Sequence, residues 1–254
     1  MNKVVKNILI KIVFFTILIV FVASIVIAKN KRDNKSISDL QIEFSQGADN
    51  LLITKDDIYY YIVKYYPVHN NSVSGKQLED IEQSVSKIPF VQSAQAFLDN
   101  NNLLRVKVTP RTPIARVFAS GQSSFYIDNE GVMFPTSKNY TVKVPIITGK
   151  INQKYIKNDT INNVKLLQVL QTVKTMQQDE FMNALVGQIN INSKNQIELI
   201  PRLAEHTIVI GDDKDLEDKF NRLKIFYKEV LTKVGWEKYK VINIMYKEQL
   251  VGLK

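Results

Sequence analysis

The sequence predicts an α+β protein in three parts. These are a single transmembrane helix over 12–28, a strand–helix–helix–strand–strand unit over 38–118, and a mixed strand-rich region with two longer helices over 119–254. Three observations carry this reading. Residues 12–28 are a run of 17 without a charge, built almost entirely from Ile, Val, Leu, Phe and Ala. Between residues 39 and 109, two helices with capping-box starts lie between segments of alternating hydrophobicity. Beyond Phe118 the texture changes to short apolar runs separated by turn residues, interrupted by two segments of helical period.

The uncharged run, extended by Ile8, Leu9 and Ile10 around Lys11, is long enough as a helix to cover roughly 30 Å of hydrocarbon. A helix is the form lipid demands, because lipid offers no partner for bare backbone groups. The run exceeds the apolar core of a cleaved signal peptide, although Val26-Ile27-Ala28 resembles a weak cleavage site. Residues 1–11 then form a short basic tail, expected in the cytoplasm, and 29–37 a polar linker. Charge follows the same division. Residues 1–35 carry seven Lys or Arg against one Asp, a net +6, which leaves +3 of the total +9 for the remainder. Basicity gathered beside the apolar run suits anionic lipid headgroups and lacks the clustered footprint of a nucleic-acid binder. There is no cysteine, which excludes disulfides and thiolate metal sites, so the region after the linker depends on its own core.

In the first soluble unit, Leu40, Ile42 and Phe44 alternate along a strand. Thr54-Lys55-Asp56-Asp57 is a capping box opening a helix through Ile58, Ile62 and Tyr65, which Pro67 ends. Ser74-Gly75-Lys76-Gln77 opens a second helix, with Leu78, Ile81, Val85 and Ile88 on one side before Pro89. A strand over 91–98, the turn Asp99-Asn100-Asn101-Asn102 and the alternating Leu104, Val106 and Val108 read as a hairpin. Pro110 and Pro113 place a bend or sheet edge in the next extended stretch.

The second region predicts strands over 124–127, 132–134, 144–147, 188–191, 196–200 and 207–210. A helix is expected through Ile161, Val164, Leu167, Val173 and Met176. The last helix runs over about 215–234 with Leu216, Phe220, Leu223, Tyr227, Val230 and Val234 inward, and Gly235 is placed to end it. A terminal strand over 240–246 closes the chain.

Three local patterns resemble the FtsQ/DivIB family of bacterial cell-division proteins. Ile88-Pro89-Phe90-Val91 leads to Arg105-Val106-Lys107-Val108 and then Arg111-Thr112-Pro113-Ile114-Ala115-Arg116-Val117, like the exit of that family's POTRA domain. Pro110 stands where the family usually carries an acidic residue. Tyr126-Ile127-Asp128-Asn129-Glu130-Gly131-Val132-Met133-Phe134, followed by Val144-Pro145-Ile146-Ile147-Thr148-Gly149, resembles the opening of its second domain. Val241-Ile242-Asn243-Ile244-Met245-Tyr246 with Val251-Gly252 resembles its closing strand. The resemblance implies a POTRA domain over 38–118 and a β-rich domain over 119–254. It implies a non-enzymatic scaffold that binds FtsB- and FtsL-type bitopic partners and links early and late components of the septal wall-synthesis machinery. It further implies a place in the cytoplasmic membrane at the division septum, in contact with membrane lipid, with no cofactor, no nucleic acid and no small-molecule substrate. By position, the family's partner-binding region carries over to Met245, Tyr246, Lys247, Glu248, Gln249, Leu250, Val251 and Gly252. A strand at the chain end can offer a free edge to a partner strand, with Tyr246 as the side-chain anchor and Lys247 and Glu248 setting charge at the rim.

Two other classes compete. A membrane-anchored cell-envelope hydrolase would need catalytic groups. His69 and His206, read as surface histidines, form no metal-ligand spacing, and there is no Gly-x-Ser-x-Gly elbow or phosphate-cradling loop. The pairs Asp56-Asp57 and Asp212-Asp213 stand at helix starts, where they stabilise exposed N–H groups. A POTRA-bearing transport component would be followed by serial ten-residue barrel strands, and the sequence has none. The tyrosines at 59, 60, 61, 65 and 66 cannot all share one helix face, so some are expected at the surface.

Overall fold

A computed structural model describes residues 12–25, 37–45, 52–68 and 73–254. The tail at 1–11, linker residues 29–36 and His69 lie outside these described residues. Helix α1 covers residues 12–25. Among the described residues no helix is long and apolar enough to cross a membrane, which corrects the transmembrane helix expected over 12–28 and the fold class that included it. The remaining fold is α+β, in two compact units.

The first unit, which includes 54–110, is built on a three-stranded sheet. Its strands are β1 (Asp39–Phe44), β2 (Val91–Leu98) and β3 (Leu103–Pro110). β3 lies centrally, parallel to β1 and antiparallel to β2. Helices α2 (Lys55–Tyr65) and α3 (Gly75–Ser86) each begin with the full reciprocal capping box, Thr54 with Asp57 and Ser74 with Gln77. Their Ile58, Ile62, Ile81 and Val85 are buried, as are Leu40, Ile42, Leu104 and Val106 of the sheet, with α2 lying beside β1 and α3 beside β2. Leu78 is only half-buried, because α3 turns Ile81 and Val85 fully inward and leaves the first turn at the rim. Of the tyrosine cluster, Tyr60 and Tyr65 are exposed, and the Tyr66 hydroxyl donates to the Asp80 carbonyl at 3.0 Å.

The second unit covers 111–254 together with the short segment that holds Leu52 and Ile53. Its strands are β4 (Pro113–Val117), β5 (Phe125–Asp128), β6 (Met133–Pro135), β7 (Ile146–Gly149), β8 (Val186–Ile191), β9 (Ile197–Pro201), β10 (Thr207–Gly211), β11 (Val241–Asn243) and β12 (Val251–Leu253). They form one nine-stranded sheet in the order β12-β11-β10-β9-β8-β7-β4-β5-β6. The register aligns Phe125, Val117, Ile147, Ile189, Leu199, Ile208 and Ile242 in a single row across seven neighbouring strands, each fully buried. The row ends at Gly252 on β12. Helices α4 (Val164–Gln177), α5 (Glu180–Leu185) and α6 (Leu216–Phe226) contribute Leu166, Val169, Val173, Met182, Phe220 and Leu223 to the same core.

Two helices depart from the expected register. In α4 the buried stripe is Leu166, Val169, Leu170, Val173 and Met176, whereas Val164 and Leu167 face outward. Helix α6 continues through a π-helical turn, Tyr227–Leu231, into α7 (Thr232–Val234). The wider turn shifts the helical phase, so Leu231 is buried where Val230 was expected, and Val234 is exposed. Gly235 ends the helix at φ 92°, a backbone conformation that favours glycine.

Candidate functional site

The C-terminal end of the sheet is a hairpin. The expected strand over 240–246 is shorter, β11, and is not an edge, because it pairs parallel to β10 on one side and antiparallel to β12 on the other. The free edge is β12, the last three-residue strand. Pairing with Ile242 puts Gly252 on the core side, so Val251 and Leu253 fall on the opposite side with Asn243 and Val241. Both are exposed, Val251 at 39% and Leu253 at 52%.

The predicted partner-binding residues all fall in this hairpin. Met245 is half-buried over Gly211, where a Cβ would come within 2.9 Å of its side chain. Tyr246 is 54% exposed, and Lys247, Glu248 and Gln249 are exposed in the turn. Glu248 adopts φ 59°. Leu250 packs part-buried against the core. The Tyr239 ring lies across Gly252, so a Cβ there would sit 2.5 Å from it.

Side chains from outside the predicted stretch hold the turn. Arg222 of α6 donates to the carbonyls of Tyr246 at 2.9 Å, Ile244 at 3.4 Å and Gln249. Its Nε donates to Asp218 at 3.0 Å. The Met245 N–H donates to the Asn243 carboxamide oxygen at 3.0 Å. Arg222, Tyr239 and Leu253 escaped sequence reasoning. Only Leu253 had a local signal, as the third member of an extended Val-Gly-Leu run.

His206 requires a correction. It is 1% exposed, not a surface residue, because the chain turns inward as it enters β10 and meets the π-helical turn. Its Nε2 shares a hydrogen bond with the Tyr227 hydroxyl. The Tyr227 ring also makes edge contacts with Phe181 and Trp236. Burial pushes the His206 pKa down, against an upward pull from the Trp236 backbone, and burial alone pushes Tyr227 up. Both side chains are buried, His206 at 1% and Tyr227 at 3% exposure.

The site is thus the short outermost strand of a mixed sheet, with Val251 and Leu253 exposed. Residues 112–252 match the family model described as FtsQ/DivIB, C-terminal related, and the chain belongs to the FtsQ/DivIB family of cell-division proteins. A curated relative is similar over most of the chain. The cell division protein DivIB of Clostridium tetani (strain Massachusetts / E88) is 23% identical over 187 residues, covering 71% of this chain and 67% of the relative.

Proposed function

We propose that the chain is a non-enzymatic scaffold of the division septum that captures FtsB- and FtsL-type partners at β12 and the turn over 245–252, linking early and late components of septal wall synthesis. One observation carries the reading. Among the described residues the nine-stranded sheet ends in a strand whose outer side is unpaired and whose Val251 and Leu253 are exposed, as is Tyr246 in the preceding turn. Such an edge is a template for a partner strand: main-chain hydrogen bonds give affinity and alternate side chains give specificity. Tyr246 is the natural anchor, since its ring can bury a large area at little entropic cost. Lys247 and Glu248 at the rim set charge complementarity and association rate.

The test is capture of a co-expressed FtsB-type protein by the full chain and by Tyr246→Ala. A hot-spot tyrosine is worth about 2 kcal/mol or more, so capture should weaken roughly 30-fold. Capture at full strength by the substituted chain places the site elsewhere.

A further inference from the structure

We infer that Arg222 is the positioning residue of the partner-binding edge, setting the register in which β12 is presented; this rests on the reading of β12 as that edge. The hairpin from β11 to β12 has little to hold it by itself. β12 pairs with β11 over only three residues, and the turn between them contains Glu248 in the left-handed region. A ladder that short specifies register weakly. A slip of one residue would move Val251 and Leu253 to the core side and carry Gly252 outward, and the exposed apolar pair a partner would meet would be lost.

Arg222 supplies the missing constraint. The carbonyls of Ile244, Tyr246 and Gln249 all accept from its guanidinium, so the turn closes around one cation. Asp218, one turn earlier on α6, takes the Nε–H and fixes the plane of the group, leaving both terminal nitrogens for the turn. The Arg222 side chain is 17% exposed; its bond to Ile244 is part-buried, and those to Tyr246 and Gln249 are charge-assisted bonds at the surface.

The helix that carries it is itself pinned on both sides of Arg222. Lys219, 4% exposed, donates to the Ile210 and Asp212 carbonyls and pairs with Asp212 at 2.9 Å. Lys224 pairs with Asp179, the cap of α5, at 2.7 Å. Arg222 thus works from a rigid platform, which is what precise presentation of a binding element requires. Lysine is no substitute, because a point charge on a flexible stem cannot hold three carbonyls and Asp218 in one plane.

The experiment uses the full chain, Arg222→Lys and Arg222→Ala, with amide hydrogen exchange read in peptides from β12 and from β8–β9, and capture of the co-expressed FtsB-type protein measured in parallel. Arg222→Lys should exchange its β12 amides at least about tenfold faster, leave β8 and β9 protection unchanged, and lose about tenfold in capture. Unchanged β12 exchange in Arg222→Ala overturns the inference. So does faster exchange throughout β8 and β9, which would make Arg222 a general stabiliser of the fold. Loosened β12 with undiminished capture also overturns it, and Tyr246→Ala then separates the causes. If Tyr246→Ala captures at full strength too, the edge itself is not the binding surface. If Tyr246→Ala fails to capture, the edge stands and only the role of Arg222 falls.

Discussion

Gly252→Ala tests the architecture of the edge through the sign of one stability change. At an unhindered position where the native backbone tolerates a side chain, Gly→Ala stabilises by about 0.4–1 kcal/mol, because the unfolded chain loses freedom. The Gly252 backbone is extended in β12 and is not among the positive-φ glycines, so that gain applies. Against it stands the Tyr239 ring, 2.5, 2.7 and 3.1 Å from where the new Cβ would be. These atoms lie at the base and near edge of the ring, and Tyr239 is part-buried against the core and Phe226. The ring therefore has to swing away from its neighbours, an overpacking cost of about 1–3 kcal/mol. The net expectation is destabilisation of about 1–2 kcal/mol. Urea unfolding followed by the fluorescence of Trp236, the sole tryptophan, measures it in the unit concerned. Combining Gly252→Ala with Tyr239→Ala should recover most of the loss, a coupling of at least about 1 kcal/mol. Stabilisation by Gly252→Ala would refute the reasoning, since it would mean that no ring lies across the edge strand.

Other substitutions examine the two cores and the buried histidine. Ile81→Ala should cost the first unit about 2–5 kcal/mol and Leu78→Ala distinctly less; equal losses in urea melts would contradict the register of α3. His206 has a folded pKa below its ordinary 6.5, so both states are neutral above that pH and its contribution to stability is complete there. As pH falls below 6.5 the unfolded chain takes the proton first, and stability should decline by up to about 1.4 kcal/mol per unit until the lower folded pKa is passed. Asp179 and Asp212, which burial pushes up but the lysine partners and backbone N–H groups together hold low, add their own losses only in the more acidic carboxylate range. His206→Gln should flatten the urea midpoint between pH 7 and pH 5.5, and a slope parallel to that of the unsubstituted chain would show that His206 is not the group responsible.

Local chemistry made much of the fold legible. Thr54 with Asp57 and Ser74 with Gln77 announced two helix starts, and both form reciprocal caps. Alternation at Leu104, Val106 and Val108 gave β3 because one face of that strand is fully buried. What failed depended on choices that local pattern leaves open. Helix α4 carries aliphatics on more than one side, and only the position of the sheet decides that Leu166 and Leu170, not Val164 and Leu167, turn inward. The π-helical turn shifts the end of α6 by a rearrangement that no 3.6-residue period contains. An uncharged run measures hydrophobicity, and among the described residues no helix is long and apolar enough to cross a membrane. At the candidate site, the stretch 245–252 is proposed by position, but Arg222 lies 24 residues before Tyr246 and reaches it only once α6 has docked beside the hairpin. A pairing of that separation leaves no trace in a single sequence.

Site-specific crosslinking tests the central claim, that β12 is the partner-binding edge, most directly. A photoreactive residue placed at Val251 or Leu253 should crosslink to the FtsB-type protein in dividing cells. The same residue at Leu203, 96% exposed on the loop between β9 and β10, should not. Crosslinks at Leu203 with none at Val251 or Leu253 would contradict the edge-strand reading and move the binding surface to another face of the sheet.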